Sequence, residues 1–285
     1  MRRIAQPGPE APERVVSIAA RGRPFRFAVE RGLPLLEGVR RGFEAAGFSS
    51  GVLSFAGGGL EPLAYVMPAL SPSPDHAAFY SDIRRPDGMS RLLSGAMTLG
   101  ERDGAPFFHA HALWIEADGR LSGGHILPEG TTVAEAFEVD AFGLDGAAFV
   151  AAHDPETNFT LLGPAARPSS DRPDAGPAFA LRLRPNGDFA GTLEAFCRER
   201  GIARARLHGG VGSIVGARFA DGRAVEPFAT EAALAAGSLE PDEGGETRAH
   251  LDVALVDHAG GVSQGRLVRG DNPVLMTFEL IVQPL

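Results

Sequence analysis

Apolar and polar positions change period along this chain, and the changes divide it into elements. Val15 to Glu30 (VVSIAARGRPFRFAVE) reads as two short strands joined by a turn at Arg21-Gly22-Arg23-Pro24. From Leu35 to Ala46 the period lengthens. Leu36, Val39, Phe43 and Ala46 fall at helical spacing, and Gly47 supplies the stop. Phe48 to Leu60 returns to strand character and ends in Gly57-Gly58-Gly59. No GK[ST] follows, so these glycines predict a bulge or a close backbone approach, not a phosphate loop. Pro68 to Met89 is rich in Pro, Ser and Asp. It predicts a long surface loop with His76, Tyr80, Arg84 and Arg85 solvated on it. Leu92 to Leu99 predicts a further strand.

The stretch from Phe107 to Val139 (FFHAHALWIEADGRLSGGHILPEGTTVAEAFEV) holds His109, His111 and His125. FFHAHALWI alternates and is rich in aromatic and branched residues, so it predicts a strand. Successive strand side chains face opposite ways, so His109 and His111 share a face. Asp118-Gly119 signals a hairpin. A plain two-residue turn would set His125 opposite Ala112, on the wrong face. A bulge at Gly123-Gly124 or a three-residue turn would instead set it opposite His111. Three imidazoles converging from adjacent strands suit zinc or another borderline divalent metal, and three protein ligands leave a position open. Glu138, on the next strand, is placed to be a further ligand, a partner that orients a ligand, or a general base.

The pattern then repeats. LRLRPNGDFAGTLEAFCRERG again reads strand, helix and stop, with Phe189, Leu193, Phe196 and Cys197 on the apolar face. HGGVGSIVG answers SFAGGGLEP, which sets His208 at the place of Ser54. GHILPEGTTVAEAFEV aligns without a gap on GRLVRGDNPVLMTFEL, which pairs Glu138 with Glu279 and His125 with Arg266. Upstream, His109-Ala-His111 reads onto Arg248-Ala-His250, with a hairpin two residues longer. Arginine at ligand positions repels a cation. The second copy is expected to keep the fold without the metal, and Arg248, His250 and Arg266 could form an anion pocket. The expected layout is a tail over 1–14, a domain over 15–162, a linker over 163–177 and a degenerate domain over 178–285.

The His-x-His pair, the DGxxxGGH turn and the following glutamate resemble the signature of the PPC (plants and prokaryotes conserved) domain. The match covers nearly all of 15–162, with an eroded copy over 178–285. The resemblance implies an α+β fold of two repeated domains, each a strongly twisted, largely antiparallel sheet with one or two helices. It also implies trimeric self-association. Plant members join the domain to AT-hooks, which makes a DNA-binding regulatory protein the alternative function. The fold and site are similar to those of acetolactate decarboxylase, a zinc enzyme, which makes His109, His111 and His125 the metal ligands. A shared fold does not transfer a reaction, so no substrate is implied.

Composition narrows these readings. The 285 residues are 44% hydrophobic and 22% charged, as in a soluble globular protein. The net charge of −9 argues against non-specific nucleic-acid or membrane binding. Arg21-Gly22-Arg23-Pro24 matches an AT-hook core, but apolar strand residues flank it and no basic arm surrounds it. The single cysteine, Cys197, fits a reducing, cytoplasmic location and reads as buried packing. No apolar run reaches membrane-span length, and MRRIAQPGPEAPER reads as a loose tail, not a signal peptide.

Overall fold

The computed structural model describes residues 2–170 and 172–285. Met1 of the expected tail and Asp171 of the expected linker lie outside the described residues. The first half contains β1 (Val15–Val29), α1 (Leu35–Ala45), β2 (Gly51–Phe55) and four two-residue strands. These are β3 (Gly59–Leu60), β4 (Tyr65–Val66), β5 (Pro68–Ala69) and β6 (Phe79–Tyr80). They are followed by β7 (Ser90–Arg102), β8 (Ala105–Ile115), β9 (Leu121–Ile126), β10 (Val133–Glu135) and β11 (Phe137–Asp145). A hairpin of β12 (Ala147–Asp154) and β13 (Phe159–Ala166) ends this half. The second half contains β14 (Gly176–Leu183), α2 (Phe189–Glu199), β15 (Ala205–Arg218), β16 (Ala224–Pro241), β17 (Thr247–Asp257), β18 (Val262–Arg266) and β19 (Val274–Pro284).

Strand pairing shows the repetition directly. In the first half the main sheet runs β1-β11-β2-β7-β8-β9, and every neighbouring pair is antiparallel. In the second it runs β14-β19-β15-β16-β17-β18, again antiparallel throughout. The orders correspond strand for strand. Each half places its helix after its first strand. The chain is thus two repeated α+β units of largely antiparallel sheet.

The two sheets are joined through β1. Arg21–Val29 of this strand pairs with β11, and Val15–Gly22 pairs with β14. The turn expected at Arg21-Gly22-Arg23-Pro24 is therefore absent, and one strand runs straight through. It satisfies its backbone partly in one half and partly in the other, which outweighs the local turn signal. Its arginines are also engaged. Arg21 donates to the Ala175 carbonyl, and Arg23 pairs with Asp174 at 2.7 Å. The tail also differs from expectation. Residues 2–14 form no helix or strand, yet Ile4 exchanges hydrogen bonds with Asn186, and Arg14 pairs with buried Glu156 at 2.8 Å.

Each half has its own core. On α1, Leu35, Val39 and Phe43 are buried against the first sheet. Gly47 ends the helix at φ +81, a conformation that costs glycine little. On α2, Phe189, Leu193, Phe196 and Cys197 are buried, and Asp188 caps the N-terminus by accepting from Gly191 N–H at 2.8 Å. Fully burying one such phenylalanine contributes roughly 1.5–3 kcal/mol. Burial also raises the Cys197 thiol to about 11, so it packs and does not react. Among the described residues no helix is long and apolar enough to cross a membrane.

Candidate metal centre

The β8–β9 hairpin sets the geometry of the histidines. Glu116 N–H donates to Arg120 O, and Gly119, at φ +89, donates back to Glu116 O. This is a three-residue turn, so the alternative of a bulge at Gly123-Gly124 is not used. The register that follows places His111 opposite His125. His109 and His111, two apart on β8, share the face that looks onto β15, β16 and β19 of the second half.

The three rings converge. His109 Nε2 lies 3.1 Å from His111 Nε2, and His111 Nε2 lies 3.3 Å from His125 Nδ1. Glu231 Oε2, from β16, lies 2.6 Å from His111 Nε2. One donor atom from each of His109, His111, His125 and Glu231 falls within 4.8 Å of the others, and all four residues are buried.

The outer ring nitrogens fix the tautomers. His109 Nδ1 donates to Glu279 Oε2 at 2.6 Å, and His111 Nδ1 donates to the Ala232 carbonyl at 3.0 Å. Both Nε2 atoms are then left with lone pairs aimed at each other, a repulsive arrangement unless a cation or proton sits between them. A tetrahedral ion with bonds of about 2.0–2.1 Å holds its donors roughly 3.3 Å apart. The observed nitrogen separations match that spacing. Glu279 is fully buried and is itself held. Thr277 Oγ1 donates to it at 3.0 Å and accepts from Arg182 Nε at 3.2 Å.

Electrostatics separates the rings. Burial pulls the His109 pKa down, but Glu279 and then Glu231 outweigh burial and raise it. His125 moves the other way. Burial first, then His109 and His111, hold it well below the usual imidazole range, so it is a neutral donor. Tyr80 comes from the long loop and stands edge-on to His125, with ring centroids 5.4 Å apart. Burial and the two glutamates raise its phenol, which stays protonated. The expectation that Tyr80 is a solvated loop residue gives way to a roof over the cluster.

Glu138 is not part of this site. It is exposed on β11 opposite Ala28 of β1, while its neighbours Phe137 and Val139 point into the core. The carboxylates at the cluster are Glu231 and Glu279, both from the second half. Glu279 is the repeat counterpart of Glu138 and carried that signal. Glu231 showed only as one charge inside the small apolar run ATEAALAA.

The second copy needs a different alignment from the one its sequence suggested. His111 pairs with His125 on β8–β9, and Asp252 pairs with Arg266 on β17–β18. The whole segment therefore aligns at one constant spacing, with 109 on 250, 111 on 252, 125 on 266 and 138 on 279. Arg248 lies two residues outside this set and pairs with Asp242 at 2.8 Å. Arg266 grips Asp252 through two bonds, of 2.6 and 2.7 Å, and touches His250 Nδ1 at 3.4 Å. The expected anion pocket does not form, because both guanidinium groups are occupied by carboxylates.

The family model of the Plants and Prokaryotes Conserved (PCC) domain matches residues 170–285. The match spans the second half of the chain. The first half repeats its strand order and carries the histidines. The PCC match thus falls on the half whose sequence read as the eroded copy. Half-chain similarity extends to solved structures. A PPC protein from Pyrococcus horikoshii is 20% identical, and the match covers 50% of this chain and 94% of that one at a TM-score of 0.39. A metal-containing protein from Archaeoglobus fulgidus is 23% identical, covering 52% and 97% at 0.41. A Bacteroides thetaiotaomicron protein with a provisional DNA-binding name is 11% identical, covering 49% and 90% at 0.38. No curated protein matches the chain.

Proposed function

We propose that His109, His111, His125 and Glu231 bind one divalent metal ion, and that the protein is a metal-dependent enzyme or small-molecule binding protein of the cytoplasm. The carrying observation is the pair of Nε2 atoms, 3.1 Å apart, on rings whose Nδ1 atoms are engaged from outside by Glu279 and the Ala232 carbonyl. Three imidazoles and one carboxylate suit zinc best among abundant ions. Bound there, zinc would polarise an oxygen or lower the pKa of a water. The fourth protein ligand, Glu231, occupies a position the sequence had left open. Chemistry at the ion then requires a fifth ligand or release of Glu231.

The test is metal analysis of protein purified without added metal, beside His111→Ala. One equivalent in the parent and none in the variant is expected. A parent that carries no ion and takes up none on titration with zinc would end the reading. The alternative of a DNA-binding module loses its motif, since both arginines of Arg21-Gly22-Arg23-Pro24 are bonded within the fold. Self-association into a trimer is a separate expectation, checked by sedimentation velocity. Each chain already supplies both halves of the site.

A further inference from the structure

A small cavity opens beside the cluster, between the long loop and the second half. Its wall is apolar on one side, formed by Ala78, Phe79, Phe159, Leu275 and Met276. On the other side it reaches His109, Glu231, Tyr80 and Ser213. Ser213 Oγ accepts from Met276 N–H at 3.1 Å, and its own proton has no acceptor among the described residues. The space is about 30 Å³. A water needs roughly 10–15 Å³ on this measure, so the cavity admits about two or three water-sized groups, enough for one very small organic molecule.

Charge decides what can enter. Two buried carboxylates, Glu231 and Glu279, already balance a divalent ion. Among the described residues no arginine or lysine lines the cavity. Arg182, the nearest buried cation in the network, lies behind Thr277 and is bonded to Asp154 at 2.7 Å. A ligand that brought a further negative charge would lie beside the Glu231 carboxylate with no uncommitted cation to pair it, which is unfavourable. A neutral oxygen donor carries no such penalty.

We infer that this cavity takes a small neutral molecule, a short aldehyde, ketone or alcohol, and discriminates against carboxylates of the same size. Its oxygen faces the cluster and the Ser213 hydroxyl, and its carbons lie among Ala78, Phe159 and Met276. This rests on the metal reading above, and the test separates the two. The full-length protein is loaded with Co²⁺, whose visible bands report its ligands. Acetone, propanal and 2-propanol are titrated against acetate, which has the shape of acetone, and the smaller formate. Saturable band shifts are expected with the neutral set, at least tenfold weaker with the acids. Ala78→Leu, which fills the cavity from the loop, is expected to keep the cobalt and lose the response. Ser213→Ala is expected to weaken it several-fold. Carboxylates that bind as well as the neutral set, or a response that survives Ala78→Leu, would overturn the inference. Failure to take up cobalt would overturn the metal reading instead. The cavity is then judged by saturation-transfer NMR of the same probes on the metal-free protein, where no contact with the neutral set, or equal contact with the acids, would also overturn it.

Discussion

The same hairpin face is used in two ways within one chain. In the first half it presents His109, His111 and His125 to a buried wall that supplies Glu231 and Glu279. In the second half the corresponding residues are His250, Asp252 and Arg266, and His250 and Arg266 are exposed. The Arg266 guanidinium lies where an ion would need a donor, and it is held by Asp252. On the proposed reading, a cation recruited from solution in the first half corresponds to one covalently attached in the second. The fold does not depend on which solution is used, because the hairpin turn is conserved between them. Asp257 N–H donates to Gly261 O, just as Glu116 N–H donates to Arg120 O. What sets the first face apart is the opposing half, which buries it and supplies the carboxylates.

The largest break of this contrast is His111→Ala. It removes the ring central to the cluster and is expected to take metal content from one equivalent to none, with affinity lowered more than about 100-fold by titration. Next comes Asp154→Asn, at the joint between the halves. Asp154 is buried and pairs with Arg182 and Arg184. Removing its charge strands the Arg182 guanidinium and should cost about 3–5 kcal/mol in urea melts. The pH dependence has a definite sign. Burial works to raise the Asp154 pKa, but Arg182, Thr157 N–H and Arg184 together lower it from 3.8 to about 2. The stabilisation is complete above pH 3.8 and is lost as pH falls from there towards 2. The variant should lack this acid-labile component.

Glu279→Gln keeps the shape but removes the carboxylate that fixes His109, and should weaken metal binding about 10–100-fold. Asp252→His with Arg266→His restores three imidazoles to the second half. It should recruit a second, weaker ion, since the His250 and Arg266 positions are exposed, and calorimetry would count the sites. Glu138→Gln sits at the mirror position of Glu279 yet is exposed, and should change metal affinity less than about twofold. A large effect there would mean that the face of Glu138 is covered in solution.

The sequence carried the elements whose signals are local. Both helices, their glycine stops, the shared face of His109 and His111 and the His125 register follow from spacing within some twenty residues. The errors concern residues satisfied from a distance. The turn signal at Arg21-Gly22-Arg23-Pro24 was overridden by β14, more than 150 residues away in sequence. Glu138 was the nearest acid along the chain, while the acids near in space come from β16 and β19. Arg248-Ala-His250 imitated His-x-His closely enough to shift the alignment by two, and only strand pairing corrected it.

β1 has one further consequence. Its first eight residues pair with the neighbouring unit's sheet, and only Arg21 and Gly22 of them also pair with its own. Severing the connector around 167–170 would therefore leave two fragments with complementary unpaired edges. They should recombine without a covalent link, and the ion, touched by both, would act as the clasp. Such a pair would serve as a split reporter, assembled by metal and released by a chelator.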